Sequence, residues 1–299
     1  MRDSSTLTMA YADSTDIDTR AAPFDQFKGI HRLSRDRSGR DAGAHTRHQL
    51  FAARDRRTAA NVLIKVTSKP GLVYQQNLTN EIDSLTTINR ALPDSRTFPL
   101  VLEHGKIKDG RAYLITNLFD EFPLAASIGP ERIPGRLVGH LRTAIEIARA
   151  LTDLHGIPIV HVDLNPMNVL FRTEGGRPVI RIVDFESSYD VARHAHGVFY
   201  NPPTTPNYSA PEVARQPPDP RADVYSLGAV LYTMVAGFAW TWEGDASSCL
   251  RDDGEVDGDF RTILARAVDP DPGERYATMA EFRAALASYL EQIWPGRTW

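Results

Sequence analysis

The sequence predicts an α+β protein, with a small sheet-rich part followed by a larger helical part. Two observations predict this. Strand-like apolar runs concentrate before residue 120, and helical spacing dominates after Pro134. Strands first and helices afterwards segregate the two element types instead of alternating them as βαβ units. At 299 residues the chain is long enough for one large domain or two small ones with a packed core.

Residues 1–22 are rich in Ser, Thr and Asp without apolar periodicity, and read as a flexible tail. Phe27 to Leu33 is the first expected strand, and Ser34 to His48 an Arg-rich loop. Leu50 to Ala53 and Asn61 to Val66 are expected strands joined by a turn at Asp55-Arg56-Arg57. Leu78, Ile82, Leu85, Ile88 and Leu92 recur at helical spacing, so Asn77 to Leu92 is an expected helix. Leu100 to Glu103 and Arg111 to Asn117 follow as strands around the turn Lys108-Asp109-Gly110. Leu137 to His155 has a strong helical pattern. The pair Val169–Phe171 and Val179–Val183 flanks the turn Glu174-Gly175-Gly176. A long irregular stretch, an uncharged helix and a last helix at Met279 to Ile293 complete the expected elements, and no internal repeat is visible.

Charged residues make up 24% and hydrophobic residues 42%, the usage of an ordinary folded protein. A net charge of −4 argues against nucleic acid or an anionic membrane as the main partner. Cys249 is the single cysteine, so no internal disulfide or thiolate metal cluster forms within the chain, and a reducing cytoplasmic setting is expected. The reading for Cys249 itself is a small buried apolar residue. The opening residues lack the apolar core of a signal peptide. Val224 to Trp242 carries no charge, yet Ser226, Thr233, Thr241 and two glycines within it favour a helix buried in a large lobe over a membrane span. Only five of 34 basic residues are lysine, a bias that points to a GC-rich bacterial genome and makes each lysine worth inspecting.

The most informative string is His161-Val162-Asp163-Leu164-Asn165-Pro166-Met167-Asn168, placed between a helix and a short strand. It resembles the catalytic loop of protein kinases, in which an Asp precedes an Asn by five positions. Asp184-Phe185-Glu186 follows and resembles the metal-binding motif of the same family. Val62-Leu63-Ile64-Lys65 resembles the strand whose Lys pairs with the α- and β-phosphates, and Glu81 on the next helix is its expected partner. Thr204-Thr205-Pro206-Asn207-Tyr208-Ser209-Ala210-Pro211-Glu212 resembles the peptide-docking segment and its closing motif. Asp223 resembles the helix-start Asp that braces the catalytic loop, and Arg275 the buried partner of Glu212.

This resemblance, over roughly residues 27–293, is to eukaryotic-type (Hanks-type) Ser/Thr protein kinases, as a divergent and bacterial member. It implies a bilobal fold after the 1–22 tail: a kinase domain at 23–299, with an N-lobe at about 23–117 and a C-lobe at about 120–299. It implies ATP with Mg²⁺ or Mn²⁺ in the interlobe cleft and a protein substrate with a Ser or Thr acceptor. In the implied roles Asp163 accepts the hydroxyl proton, Lys65 orients the phosphates and Glu81 holds Lys65. Asn168 and Asp184 hold the metal. Thr116 is the implied gatekeeper, with Asn117, Leu118 and Phe119 as the hinge against adenine. Leu50, Leu63 and Leu170 sandwich the base. Leu85, His161 and Phe185 belong to the spine that links the lobes. Thr205 favours Ser/Thr over Tyr specificity.

Four departures from the family pattern matter. Of the expected glycines over the phosphates only Gly43 is present, with His45 and His48 at the other two positions. Val162 stands where an Arg often reads a phosphate on the activation segment. Asn165 stands at the catalytic-loop position of a Lys that steadies the transferred group. Glu186 replaces a Gly. These leave two alternatives beside an active protein kinase: a pseudokinase scaffold that binds nucleotide without turnover, and a small-molecule kinase or nucleotidyl transferase on the same fold. A separate regulatory protein is expected to control the domain.

Overall fold

The structure, a computed structural model, describes residues 17–33, 47–129, 136–196, 205, 207–237 and 257–296. The chain divides into two compact units. The first runs to Thr86 and takes in Pro99–Phe119; the second comprises Thr87–Phe98 and the chain from Asp120. The expected α+β class holds, with a sheet-rich N-terminal part and a helical C-terminal part.

The first unit is built on a five-stranded antiparallel sheet of β1 (Phe27–Arg32), β2 (His48–Asp55), β3 (Asn61–Thr67), β4 (Val101–Lys106) and β5 (Ala112–Asn117). Its order is β1-β2-β3-β5-β4. Residues directly opposite in a ladder share a face. Phe51, Ile64 and Ile115 are such a row, and with Val62, Val66 and Tyr113 they line one apolar face. Ile17, Phe24 and Phe27 pack onto that face, with Phe24 edge-on to Tyr113 at 5.9 Å. Gln26 adds a hydrogen bond to Glu103 at 2.7 Å.

This corrects the expected tail. Residues 17–22 belong to the folded unit, and Ile17 is only 5% exposed. A lone apolar residue among acidic neighbours carries no periodicity, so only the tertiary contact reveals it. Residues 1–16 of the expected tail lie outside the described residues.

Helix α1 (Leu72–Ala91) follows β3. It starts five residues before the expected Asn77. Its first residues, Leu72 and Val73, are exposed, so core periodicity does not mark them.

In the second unit α2 (Arg136–His155) buries Leu141, Ile145, Ala148 and Leu151, one face of the 3.6-residue repeat. It packs against α4 (Arg221–Ala236) and α6 (Met279–Ile293). A two-stranded ladder joins β7 (Ile159–Val160) to β10 (Tyr189–Asp190). A three-stranded sheet orders β6 (Phe122–Pro123), β8 (Val169–Glu174) and β9 (Arg177–Ile182). A four-residue helix, α3 (Val191–His194), follows β10.

The uncharged stretch 224–242 is helical over its described part up to Ala236, and residues 238–242 of it lie outside the described residues. Helix α4 begins earlier, at Arg221, and stops at Ala236, where Gly237 adopts φ +79° and its N–H caps the Thr233 carbonyl. Among the described residues no helix is long and apolar enough to cross a membrane. Helix α5 (Gly258–Ala267) falls in sequence that gave no expected element. Asp257 caps it by accepting the Phe260 N–H at 2.9 Å, and Phe260, Leu264 and Ala267 are its buried face. Helix α6 matches its expected bounds, with Thr278 as N-cap.

Candidate active site

Register places four expected site residues of the first unit on one sheet face. Leu50 lies opposite Lys65, and Leu63 lies opposite Thr116. Since Leu63 and Lys65 are two apart on β3, all four side chains project from the face opposite the Phe51–Ile64–Ile115 row. Leu50 and Leu63 are half-buried, while Thr116 is buried. Lys65 is 5% exposed and its Nζ lies 2.6 Å from Glu81 Oε2. Glu81, on α1, is 4% exposed. A buried ammonium at the end of a strand is thus matched by a buried carboxylate on the following helix. Each charge would be costly without the other.

Asn117, Leu118 and Phe119 close the first unit in a half-buried run. Asn117 Oδ1 accepts the Leu100 N–H at 2.7 Å, and the Leu118 N–H donates to the Asn61 carbonyl at 3.1 Å. These bonds pin the segment to the starts of β3 and β4. Gly43 lies outside the described residues, as do His45 and Cys249; His48 is the first residue of β2.

In the second unit the string 161–168 is an irregular loop held from beneath. Asp223, in the first turn of α4, is completely buried. Its Oδ2 accepts the His161 N–H at 2.9 Å and the His155 ring N–H at 2.8 Å; its Oδ1 accepts the Val162 N–H at 2.8 Å. Burial opposes the charge of Asp223, but these bonds and the nearby histidines hold it below the ordinary carboxylate range. Val162 adopts φ +69°, an unfavourable region for a β-branched residue. The brace from Asp223 holds that conformation in place. His155, the last residue of α2, is a partner that sequence reasoning missed; nothing in a helix-terminal His distinguishes it from a surface residue.

Asp163, Asn168 and Asp184 converge. Asn168 Nδ2 donates to the Asp163 carbonyl at 3.0 Å, and the Asn168 carbonyl accepts the Val183 N–H at 2.9 Å. That second bond ties Asn168 to the residue just before Asp184, which is half-buried at φ +69°. Asp163 is largely buried, and among the described residues its Oδ1 has no hydrogen-bond partner. Burial pushes Asp163 above the ordinary carboxylate range, helped by the charge of Asp184. Hydrogen bonds from Thr205 and Asn165 and the charge of His161 pull the other way. A desolvated carboxylate with a vacant acceptor oxygen is suited to receive a proton.

The turn at Asp184-Phe185-Glu186 is fixed. Phe185 is fully buried, edge-on to His161 at 4.9 Å and to Phe98 at 6.0 Å. Its carbonyl accepts both the N–H (3.2 Å) and the hydroxyl (2.7 Å) of Ser188. Asn168 spends its amide nitrogen on Asp163, so its oxygen is the end left for a cation. With the Asp184 carboxylate this gives hard oxygen donors of the kind Mg²⁺ or Mn²⁺ prefers, and the residues fit such an ion. Leu170 is half-buried in β8, opposite Pro123. Asn165 is buried with both ends of its amide engaged inside the loop.

The segment after residue 204 is anchored to the same unit. Tyr208 Oη lies 3.2 Å from Thr233 Oγ1 on α4. Arg275 is buried and forks onto Glu212 at 2.7 and 2.8 Å, the pairing expected from sequence.

This architecture and site define a class. The protein kinase domain family model matches residues 46–257, and the chain belongs to that family. Among curated relatives, Serine/threonine-protein kinase Pkn1 of Myxococcus xanthus is 31% identical over 201 residues, 61% of this chain and 28% of that protein. Serine/threonine-protein kinase PknG of Mycobacterium leprae is 30% identical over 152 residues, 50% of this chain and 19% of that protein. The chain therefore spans under a third of the length of the curated relatives it matches. Among solved structures, a double mutant of the Mycobacterium tuberculosis PknI kinase domain superposes with a TM-score of 0.60 at 20% identity. That match covers 88% of this chain and 96% of that one, a likeness of fold.

Proposed function

We propose that this chain transfers a phosphoryl group from ATP to Ser or Thr hydroxyls of protein substrates, with Mg²⁺ or Mn²⁺ as the metal. The observation that carries the reading is the buried Asp163 carboxylate, with an unpartnered oxygen, beside Asn168 and near the charge of Asp184. When bound, Mg-ATP supplies the phosphoryl donor and much of the charge neutralisation. Asp163 would accept the proton of the acceptor hydroxyl as the hydroxyl oxygen bonds to the γ-phosphorus and the bond from that phosphorus to ADP breaks, releasing ADP. Asn168 and Asp184 would hold the cation through oxygen. Lys65 pairs with the phosphates, and Glu81 fixes the ammonium for that task. Thr205, hydrogen-bonded to Asp163, supports a Ser/Thr acceptor. Leu50, Leu63 and Leu170 supply apolar surface for the base, beside the Thr116 gatekeeper position and the 117–119 hinge.

Incubation with Mg-ATP and generic protein substrates, followed by mass spectrometry, tests this. Phosphate on Ser or Thr, absent with Asp163→Ala, is the expected product. Adenylate on the product would replace this reading with nucleotidyl transfer. Phosphate confined to a small molecule would redefine the acceptor.

A further inference from the structure

We propose that Asn165 is a positioning residue for Asp163: it staples the 161–168 loop and does not contact the transferred phosphate. This rests on the reading of Asp163 as the base. Both ends of the Asn165 amide are engaged within the loop. Its Nδ2 donates to the Asp163 carbonyl at 3.0 Å, and its Oδ1 accepts the Met167 N–H at 2.9 Å. The second bond closes an Asx-turn across Pro166, which has no N–H of its own to offer. The Asp163 carbonyl also receives Asn168 Nδ2 at 3.0 Å, so two amides occupy the two lone pairs of one oxygen. The Asn168 N–H returns to the Asn165 carbonyl at 3.0 Å, closing the loop on itself.

Two consequences follow. The Asn165 side chain also hydrogen-bonds the Asp163 carboxylate, so a phosphoryl oxygen that drew the amide away would leave a buried polar group unserved. A lysine here could not accept the Met167 N–H. The other position lacking a family cation, Val162, is likewise buried and bound through its backbone to Asp223. The loop thus fixes its base by internal hydrogen bonds at a position where a charge would otherwise lie. Rigidity substitutes for charge, since a base misplaced by about 1 Å can cost about 100-fold in rate.

The test compares wild type with Asn165→Ala, Asn165→Ser and Asn165→Lys in the full chain, each checked for folding by thermal melting. The first readout is steady-state phosphorylation with Mg-ATP. Asn165→Ala is expected to lower kcat about 10- to 100-fold, with KM for ATP changed by less than about threefold, as for an interaction that aligns the chemical step. Asn165→Ser, whose hydroxyl can close the turn more weakly, should recover part of kcat. Asn165→Lys should be as slow as alanine. A lysine variant as fast as wild type, or an alanine variant with unchanged kcat, overturns the proposal.

The second readout is hydrogen exchange at the Met167 amide, which needs no activity. Exchange should speed up about tenfold or more in Asn165→Ala, as expected for the loss of one hydrogen bond of about 1 kcal/mol or more. Unchanged exchange overturns the staple whatever the activity. A wild type that transfers no phosphate, yet loses Met167 protection in Asn165→Ala, sinks the reading of Asp163 as base and leaves the staple standing.

Discussion

Lys65 and Asp163 are held in opposite ways. Lys65 sits on a regular strand and is paired with Glu81 on a regular helix, at 2.6 Å. Asp163 sits on irregular backbone: Asp223 accepts the N–H groups of His161 and Val162 just before it, its own carbonyl accepts the Asn165 and Asn168 amides, and Val162 and Asp184 are left-handed. The first arrangement joins two regular elements that keep their shape when both charges are replaced together. The second distributes the load over a loop, and its failure should spread into the fold. The difference teaches that the strand-borne pair can be exchanged as a pair without losing the sheet, while the 161–168 loop cannot lose its brace without losing its conformation.

The sharpest break is at Asp223. Asp223→Ala leaves two buried N–H groups and the His155 ring without their acceptor. It should cost about 5 kcal/mol in chemical denaturation and abolish activity together. A stable, active variant would erase the contrast.

Next come Lys65 and Glu81. Lys65→Met or Glu81→Leu alone strands a buried charge and should cost about 3 kcal/mol, whereas the double substitution should recover most of that stability. All three should be inactive. Double-mutant additivity would show the pair to be uncoupled.

A smaller effect is expected at Gly228 on α4. A Cβ there would lie 2.8 Å from Val268 and 2.9 Å from Ala267. Gly228→Ala should cost about 2 kcal/mol by displacing the helix that carries Asp223, and should lower activity in parallel.

A further effect concerns pH. Burial, aided by the charge of Arg136, pushes His140 on α2 down from 6.5 to about 4. The unfolded chain then binds a proton there before the folded one does. Stability should fall as pH drops from 6.5 to 4, the group adding no further slope below that. His140→Gln should flatten this slope in pH-dependent denaturation and leave the Asp163 loop untouched.

The two regions also differ in how far the sequence disclosed them. Strands β2, β3 and β5 follow from apolar runs between turns, and Glu81 from its place on a periodic helix. The loop at 161–168 has no periodicity, and only its motif string marks it. Nothing local announces that Val162 takes a left-handed conformation or that His155 shares the Asp223 carboxylate, because the first arises from a contact of the loop with α4 and the second from a contact between α2 and α4. Ile17 was hidden for the same reason: its burial depends on a sheet face assembled from distant strands. Helix α5 was legible in principle. Asp257 as a cap, followed by Phe260, Leu264 and Ala267, is a helix signal obscured by its charged surroundings. Asn165 showed its identity in the sequence but not its function, since the Asx-turn becomes visible only with its partners in place.

The central claim is the proposed phosphoryl transfer from ATP, with Lys65 pairing with the phosphates and Asp163 taking the hydroxyl proton. It is tested most directly by measuring ATP binding and label transfer from γ-labelled ATP in wild type, Lys65→Met and Asp163→Ala. The account predicts that both variants fail to transfer label. Lys65→Met should also weaken ATP binding, and Asp163→Ala should bind ATP like wild type. Transfer at the wild-type rate by either variant would contradict it.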